Sequence, residues 1–166
     1  MMDRPASTRH LALAVRPSVA PEPGPSISFC SHCGDRPPAT QTSSRVCDSC
    51  GLGLVLQASR DVAPAIGDPF LVLDATLSVC AVSAAAERLL AADETDAVNR
   101  HVTELLVPAD AEAQGAASLA AAVTWAARGD EQMRRVVVRP ANTFGVRLTA
   151  RIAGCGPPRA ALIVFE

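Results

Sequence analysis

FLVLDATLSVCAVSAAAERLLA, residues 70–91, changes its hydrophobic rhythm twice within a short span. It opens on Pro69-Phe70-Leu71-Val72-Leu73, a continuous apolar run of strand length, the pattern of an interior strand covered on both faces. Asp74-Ala75-Thr76 then reads as a turn, and Leu77–Val82 as a second strand. From Ser83 the rhythm becomes helical: Ser83 is placed to cap a helix over Ala84–Ala91, with Glu87 in a later turn. Two strands followed by a helix, without a crossover between the strands, point to antiparallel pairing.

Working outward toward the C-terminus, Asp110–Ala127 is Ala-rich. Leu119, Val123 and Ala126 make a narrow apolar stripe there, and Gly129 stands where a helix ends. Trp125 lies off that stripe. Gln132–Arg139 reads as a strand centred on Val136-Val137-Val138. Phe144, Val146, Leu148, Ala150 and Ile152 alternate with Gly145, Arg147, Thr149 and Arg151, which predicts a strand with one buried and one wet face. Ala160–Phe165 is again apolar throughout, and so predicts an interior strand. The order is strand, strand, helices, then three strands, an α+β layout with an antiparallel sheet.

Asp74 at the end of the first strand, the tight turn, and Ala85-Ala86-Glu87-Arg88-Leu89-Leu90 at the head of the helix resemble the opening of a PAS domain. NRHVTELLVPADAE, 99–112, resembles that family's link from short helices to a longer one. The resemblance implies a five-stranded antiparallel sheet with flanking helices and a sensor or protein-interaction role. The chain departs from the family at Thr76-Leu77, where a turn Gly is common, and at Ser83, where Asn is common, so no cofactor contact carries over. Neither Cys80 nor Cys155 lies in the Asn-Cys-Arg context of the family's flavin photosensors. A haem-binding member needs an axial His; His101 is the only histidine in this region, and beside Asn99 and Arg100 it is expected to be solvated. Cys80 is expected to be a small core residue, and Cys155, between Gly154 and Gly156, to sit in a turn open to oxidation. Any pocket ligand is left unassigned. PAS-type sheets commonly pair through their outer face, so a homodimer is expected, with a second subunit, the cysteine-rich segment or a partner protein over that face.

Toward the N-terminus the decisive pattern is Cys30-x2-Cys33 and Cys47-x2-Cys50, separated by thirteen residues. Two cysteines three apart grip one metal from a tight turn, and two such turns supply four thiolates in a tetrahedron. Gly34 and Gly51 follow each pair, where a positive φ lets backbone N–H groups turn toward sulfur. About thirty residues with few large apolar side chains need such a staple. The stretch resembles a zinc ribbon over residues 28–57, which implies a structural Zn2+ bound by Cys30, Cys33, Cys47 and Cys50. Rubredoxin-like iron sites use similar knuckles, and a disulfide pair is the plain alternative. His32, inside the first knuckle, is expected at the exposed tip of its turn.

The rest of the chain bounds the reading. Residues 1–27 carry Pro5, Pro17, Pro21, Pro23 and Pro25 and are expected to be an extended or disordered arm; 58–67, with Pro64 and Gly67, to be a linker; and 68–166 to be the PAS-like domain. Lys is absent, and the Ala, Arg, Pro and Gly bias fits a GC-rich bacterial genome. No apolar run approaches a membrane span, and His10–Val15 is too short for a signal-peptide core, so a cytoplasmic place is expected, where paired cysteines hold metal before disulfide. The formal charge of −2 with no basic block argues against a nucleic-acid surface. No nucleophile elbow, phosphate loop or HExxH motif is present, so no enzyme is expected. With no kinase, cyclase or helix-turn-helix output in the chain, signalling would run through a protein partner. The alternative is a transcription-associated factor whose ribbon contacts nucleic acid or RNA polymerase.

Overall fold

The computed structural model describes residues 24–37, 45–109 and 118–166. Strands β1 (Ser26–Cys30) and β2 (Val55–Ser59) form a hairpin around the paired cysteines. Strands β3 (Phe70–Leu73) and β4 (Val79–Val82) lead into helices α1 (Ala84–Leu90) and α2 (Glu94–Ala97). A 3-10 turn at Val102–Glu104, strand β5 (Leu106–Pro108) and helix α3 (Leu119–Ala127) follow. Strands β6 (Arg134–Pro140), β7 (Leu148–Gly156) and β8 (Ala160–Phe165) complete the chain.

The turn and the first helix form as their residues dictate. The Asp74 carboxylate accepts the Thr76 N–H at 2.8 Å and the Ser78 N–H at 3.0 Å, an Asx-type turn that brings β4 back along β3. Ser83 Oγ accepts the Ala86 N–H at 3.2 Å as the cap of α1, and also the Phe70 N–H at 2.9 Å. One hydroxyl thus fixes the helix start to the adjoining strand. Ser118 caps α3 through the Ala121 N–H, and Gly129, at φ 96°, ends that turn. Residues 110–117 of the expected Asp110–Ala127 helix lie outside the described residues.

The sheet is antiparallel and has eight strands where five were expected. Its order is β1-β2-β7-β8-β3-β4, with β6 also on β7 and β5 on β6. The five strands read from the sequence therefore run β4-β3-β8-β7-β6, and β5 and the β1–β2 hairpin extend them. The hairpin joins because β7 is nine residues long. Its first half pairs with β6, from Val138 opposite Leu148 to Arg134 opposite Ile152. Its end pairs with β2, Ala58 opposite Cys155 and Gln57 opposite Gly156.

Two hydrophobic cores lie on opposite faces. On the inner face Leu71, Leu73, Ile152, Ile163 and Phe165 pack against Leu90 of α1 and Leu119, Val123 and Ala126 of α3. On the outer face Phe70, Val72, Ala153, Leu162 and Val164 pack against Phe29, Leu56, Ala58, Val62 and Ala63 of the hairpin and its exit. Phe29 meets Phe70 edge-to-face, with ring centroids 5.7 Å apart. Every residue of β3 and β8 is buried, as their unbroken apolar runs require.

Several expectations are corrected. β7 begins at Leu148, not Phe144: Gly145, at φ 80°, breaks the extended path, and Phe144 stays 89 % exposed. Cys155 lies in β7 and is buried, not in an open turn, because its face of the strand looks into the outer core. Cys80 is exposed, because the register shifts between Val72 and Leu73, pairing Ala81 with Val72 and Val79 with Leu73 and leaving Cys80 between. β1 begins at Ser26, inside the expected 1–27 arm, of which residues 1–23 lie outside the described residues. The expected 58–67 linker is partly structure: β2 continues to Ser59, and Val62 and Ala63 are buried against the outer face. No helix among the described residues is long and apolar enough to cross a membrane.

Candidate metal centre

β1 ends at Cys30 and turns at once. The Gly34 N–H donates to the Cys30 carbonyl at 3.1 Å, and in the second knuckle the Gly51 N–H donates to the Cys47 carbonyl at 2.8 Å. Gly34 and Gly51 have φ of 74° and 68°, the left-handed geometry their positions were expected to need. The Ser31 N–H donates to the Leu54 carbonyl and so ties the first knuckle to the second arm, while the Cys47 N–H donates to the Gly53 carbonyl and closes the second loop, each at 2.8 Å. The Ser49 hydroxyl donates to the Asp35 carboxylate across the two turns and, with the Arg36 N–H, holds it below the usual carboxylate range.

The Sγ atoms of Cys30, Cys33, Cys47 and Cys50 all lie within 4.8 Å of one another. Cys30 to Cys50 is 3.6 Å and Cys33 to Cys47 is 3.9 Å. A tetrahedron with metal–sulfur bonds of about 2.3 Å has edges of about 3.8 Å, so the set fits one four-coordinate ion. All six cysteines are free thiols. Burial pushes the Cys30 thiol up to about 12 and raises Cys33, whereas the Gly53 N–H first of all draws Cys50 down to about 6. A divalent cation at the centre of the set would favour the thiolate form of each of these sulfurs.

Backbone donors are aimed at the sulfurs: the His32 N–H lies 3.4 Å from Cys30 Sγ, and the Gly53 N–H 3.5 Å from Cys50 Sγ. Gly53 was not singled out in the sequence. A Cβ there would stand 2.4 Å from Cys30 Sγ and 2.8 Å from the His32 nitrogen, so only glycine fits against the cluster. The signal was the second glycine of Cys50-Gly51-Leu52-Gly53, two residues beyond the knuckle glycine.

His32 corrects another expectation. It is not at an exposed tip: its side chain is 19 % exposed, and Nδ1 lies 3.3 Å from Glu94 Oε2, at ion-pair distance though not aligned as a hydrogen bond. It stands outside the thiol set and faces α2. His101 is tied up locally, with Nδ1 2.7 Å from Thr103 Oγ1 as it caps the 3-10 turn. Trp125 is partly exposed, with the Arg134 guanidinium 4.5 Å over its ring.

Among the charged and polar residues around the thiols, Val46, Leu52, Leu54 and Ile66 are also exposed, Leu52 by 72 %. An open crevice of about 890 Å3 lies elsewhere, where β7 passes from pairing with β6 to pairing with β2, bordered by Gln57, Ser59, Met133, Gly154 and Arg159.

No family model matches the chain, and no curated protein matches it in sequence. Among solved structures, it is similar to the PAS domain of nitrogen regulation protein NR(II) from Vibrio parahaemolyticus, at 15 % identity and a TM-score of 0.44, over 60 % of this chain and 88 % of that one. It is also similar to the PAS domain of HTR-like protein from Haloarcula marismortui, at 14 % identity and a TM-score of 0.40, over 60 % of this chain and 84 % of that one.

Proposed function

We propose that this chain is a non-enzymatic signalling or regulatory protein, in which a PAS-like sensor or interaction domain carries a structural zinc ribbon that docks a protein partner. The observation that carries the reading is the closed set of four thiols at tetrahedral spacing. Cys30, Cys33, Cys47 and Cys50 would hold Zn2+, which with four protein ligands supplies a cross-link and leaves no position for an activated water. The exposed Val46, Leu52 and Leu54 beside the second knuckle support docking of a protein. The PAS-like part is supported by the order β4-β3-β8-β7-β6 and by the Asp74 turn that feeds a Ser83-capped helix.

Charge supports a protein over a nucleic acid. Arg36 and Arg45 are offset by Asp35 and Asp48, and a zinc tetrathiolate adds two negative charges where phosphate needs the opposite sign. A homodimer has to use surface other than the part of the outer sheet face that the hairpin covers. The reading places the protein in the cytoplasm, where thiols stay reduced.

Native mass spectrometry of the gently purified full chain, compared with its denatured mass, tests this reading. One zinc per chain, lost with a chelator, is the expected result. A chain that carries no metal overturns it, and added mass from an organic ligand moves the function to a pocket.

A further inference from the structure

The first knuckle does more than hold two thiols: it touches the start of both short helices. The Ala84 N–H, in the first turn of α1, donates to the His32 carbonyl at 3.1 Å. The His32 ring reaches Glu94, the first residue of α2, at 3.3 Å. Glu94 is itself a junction. Its other oxygen accepts the Val82 N–H of β4 at 3.3 Å, and its own N–H donates to Glu87 Oε1 of α1 at 2.7 Å. Through its carboxylate and its backbone N–H, one residue thus joins the knuckle, a sheet edge and two helices.

Helices of seven and four residues cannot hold themselves in water, so their order depends on such contacts. The knuckle in turn has little apolar side chain of its own between Cys30 and Gly34. Its shape depends on whatever cross-links Cys30 and Cys33 to the second knuckle.

We propose that the first knuckle is a relay: the metal fixes the backbone between Cys30 and Cys33, His32 carries that position to Glu94, and the order of the Val79–Ala97 segment follows occupancy of the centre. The proposal rests on the metal-centre reading above and adds that the sensor-like layer responds to the metal. His32 and Glu94 are positioning residues, and neither binds the ion.

The test is hydrogen exchange on the full chain, with the zinc count taken on the same samples. With one zinc bound, peptides over Val79–Ala97 are protected. Chelation is expected to speed their exchange by about tenfold or more, since local opening free energies set exchange rates. His32→Ala is expected to keep one zinc and still speed exchange there by roughly threefold, the scale of a partly exposed ionic contact. Glu94→Ala is expected to do the same, while Ala160–Phe165 of β8 stays protected in both variants. A zinc-loaded H32A chain with wild-type exchange over 79–97 overturns the relay, as does chelation that opens only 26–59. Equal opening of β8 in H32A would mean general destabilisation and overturns it too. A wild-type chain without metal overturns the underlying metal-centre reading, so the zinc count tells the two failures apart.

Discussion

The two faces of the sheet each carry a buried core, but the seals over those cores differ in kind. The inner face is closed by α1, α3 and the segment leading to β5, with Leu90, Val102, Leu106, Leu119 and Val123 all buried there. The outer core, over β3, β8 and the end of β7, is closed by a hairpin whose large buried contributions are Phe29 and Leu56, followed by Val62 just past it. Burial of about 1.5–3 kcal/mol per large side chain can hold the first seal. It cannot by itself order the second, where the ring of four cysteines stands at the far end of the same hairpin. One strand can thus be buried on both sides and yet answer to two unlike sources of stability. If the four cysteines hold zinc as proposed, removing it should therefore separate the faces.

The largest effect is expected from the ligands. Cys47 is 1 % exposed, and Cys47→Ser should abolish stoichiometric zinc and the exchange protection of Ser26–Cys30 and Val55–Ser59. Structural zinc in small modules is worth about 10–16 kcal/mol of apparent binding energy, more than the hairpin can replace. Retained protection in the zinc-free variant would break the comparison outright.

Neighbouring residues of β8 sharpen it. Leu162 faces the outer core and Ile163 the inner, and both are fully buried. With metal, Leu162→Ala and Ile163→Ala should each cost about 2–5 kcal/mol in urea unfolding. After chelation the Ile163 cost should persist and most of the Leu162 cost should vanish, a coupling that a double cycle reads directly. Equal costs in both states would mean that the two cores respond as one.

Gly53→Ala should act on the outer seal alone. The added Cβ, 2.4 Å from Cys30 Sγ, has to displace the cluster, and a fall in zinc affinity of about 10–100-fold is expected by chelator competition.

The smallest effect is on the pH profile. Burial, with the Cys80 thiolate a lesser cause, pushes the Cys155 thiol from 9.0 up to about 12. The folded chain therefore keeps this proton after the unfolded chain has lost it. The contribution is fully present below pH 9 and is lost as pH rises toward about 12. Cys155→Ala should flatten the alkaline fall of Tm between those limits.

Much of this was legible locally. Ser83, Asp74 and Gly129 act through bonds to residues within a few positions, so their roles could be read from residue type and spacing. The four cysteines were legible for the same reason, since each knuckle closes on itself over four residues. What failed was relational. Cys80 and Cys155 exchanged places, one outward and one buried, because a bulge in one strand and a neighbouring hairpin decide which side of the sheet is wet. His32 looked like a turn tip because the helix its ring faces begins about sixty residues later, at Glu94.

The amino-acid sequence by itself determined the α+β class, the interior character of β3 and β8, the helix caps and the paired spacing that lets four cysteines meet. Each depends on short-range geometry: the period of a strand, the reach of a serine hydroxyl, the bite of two cysteines three apart. Only the tertiary structure decided what covers the outer face, and that the hairpin joins the sheet by pairing Ala58 with Cys155. Backbone pairing between segments so distant in the chain leaves no periodic trace in either one. The apolar run of β8 says that both its faces are covered, and cannot say by what.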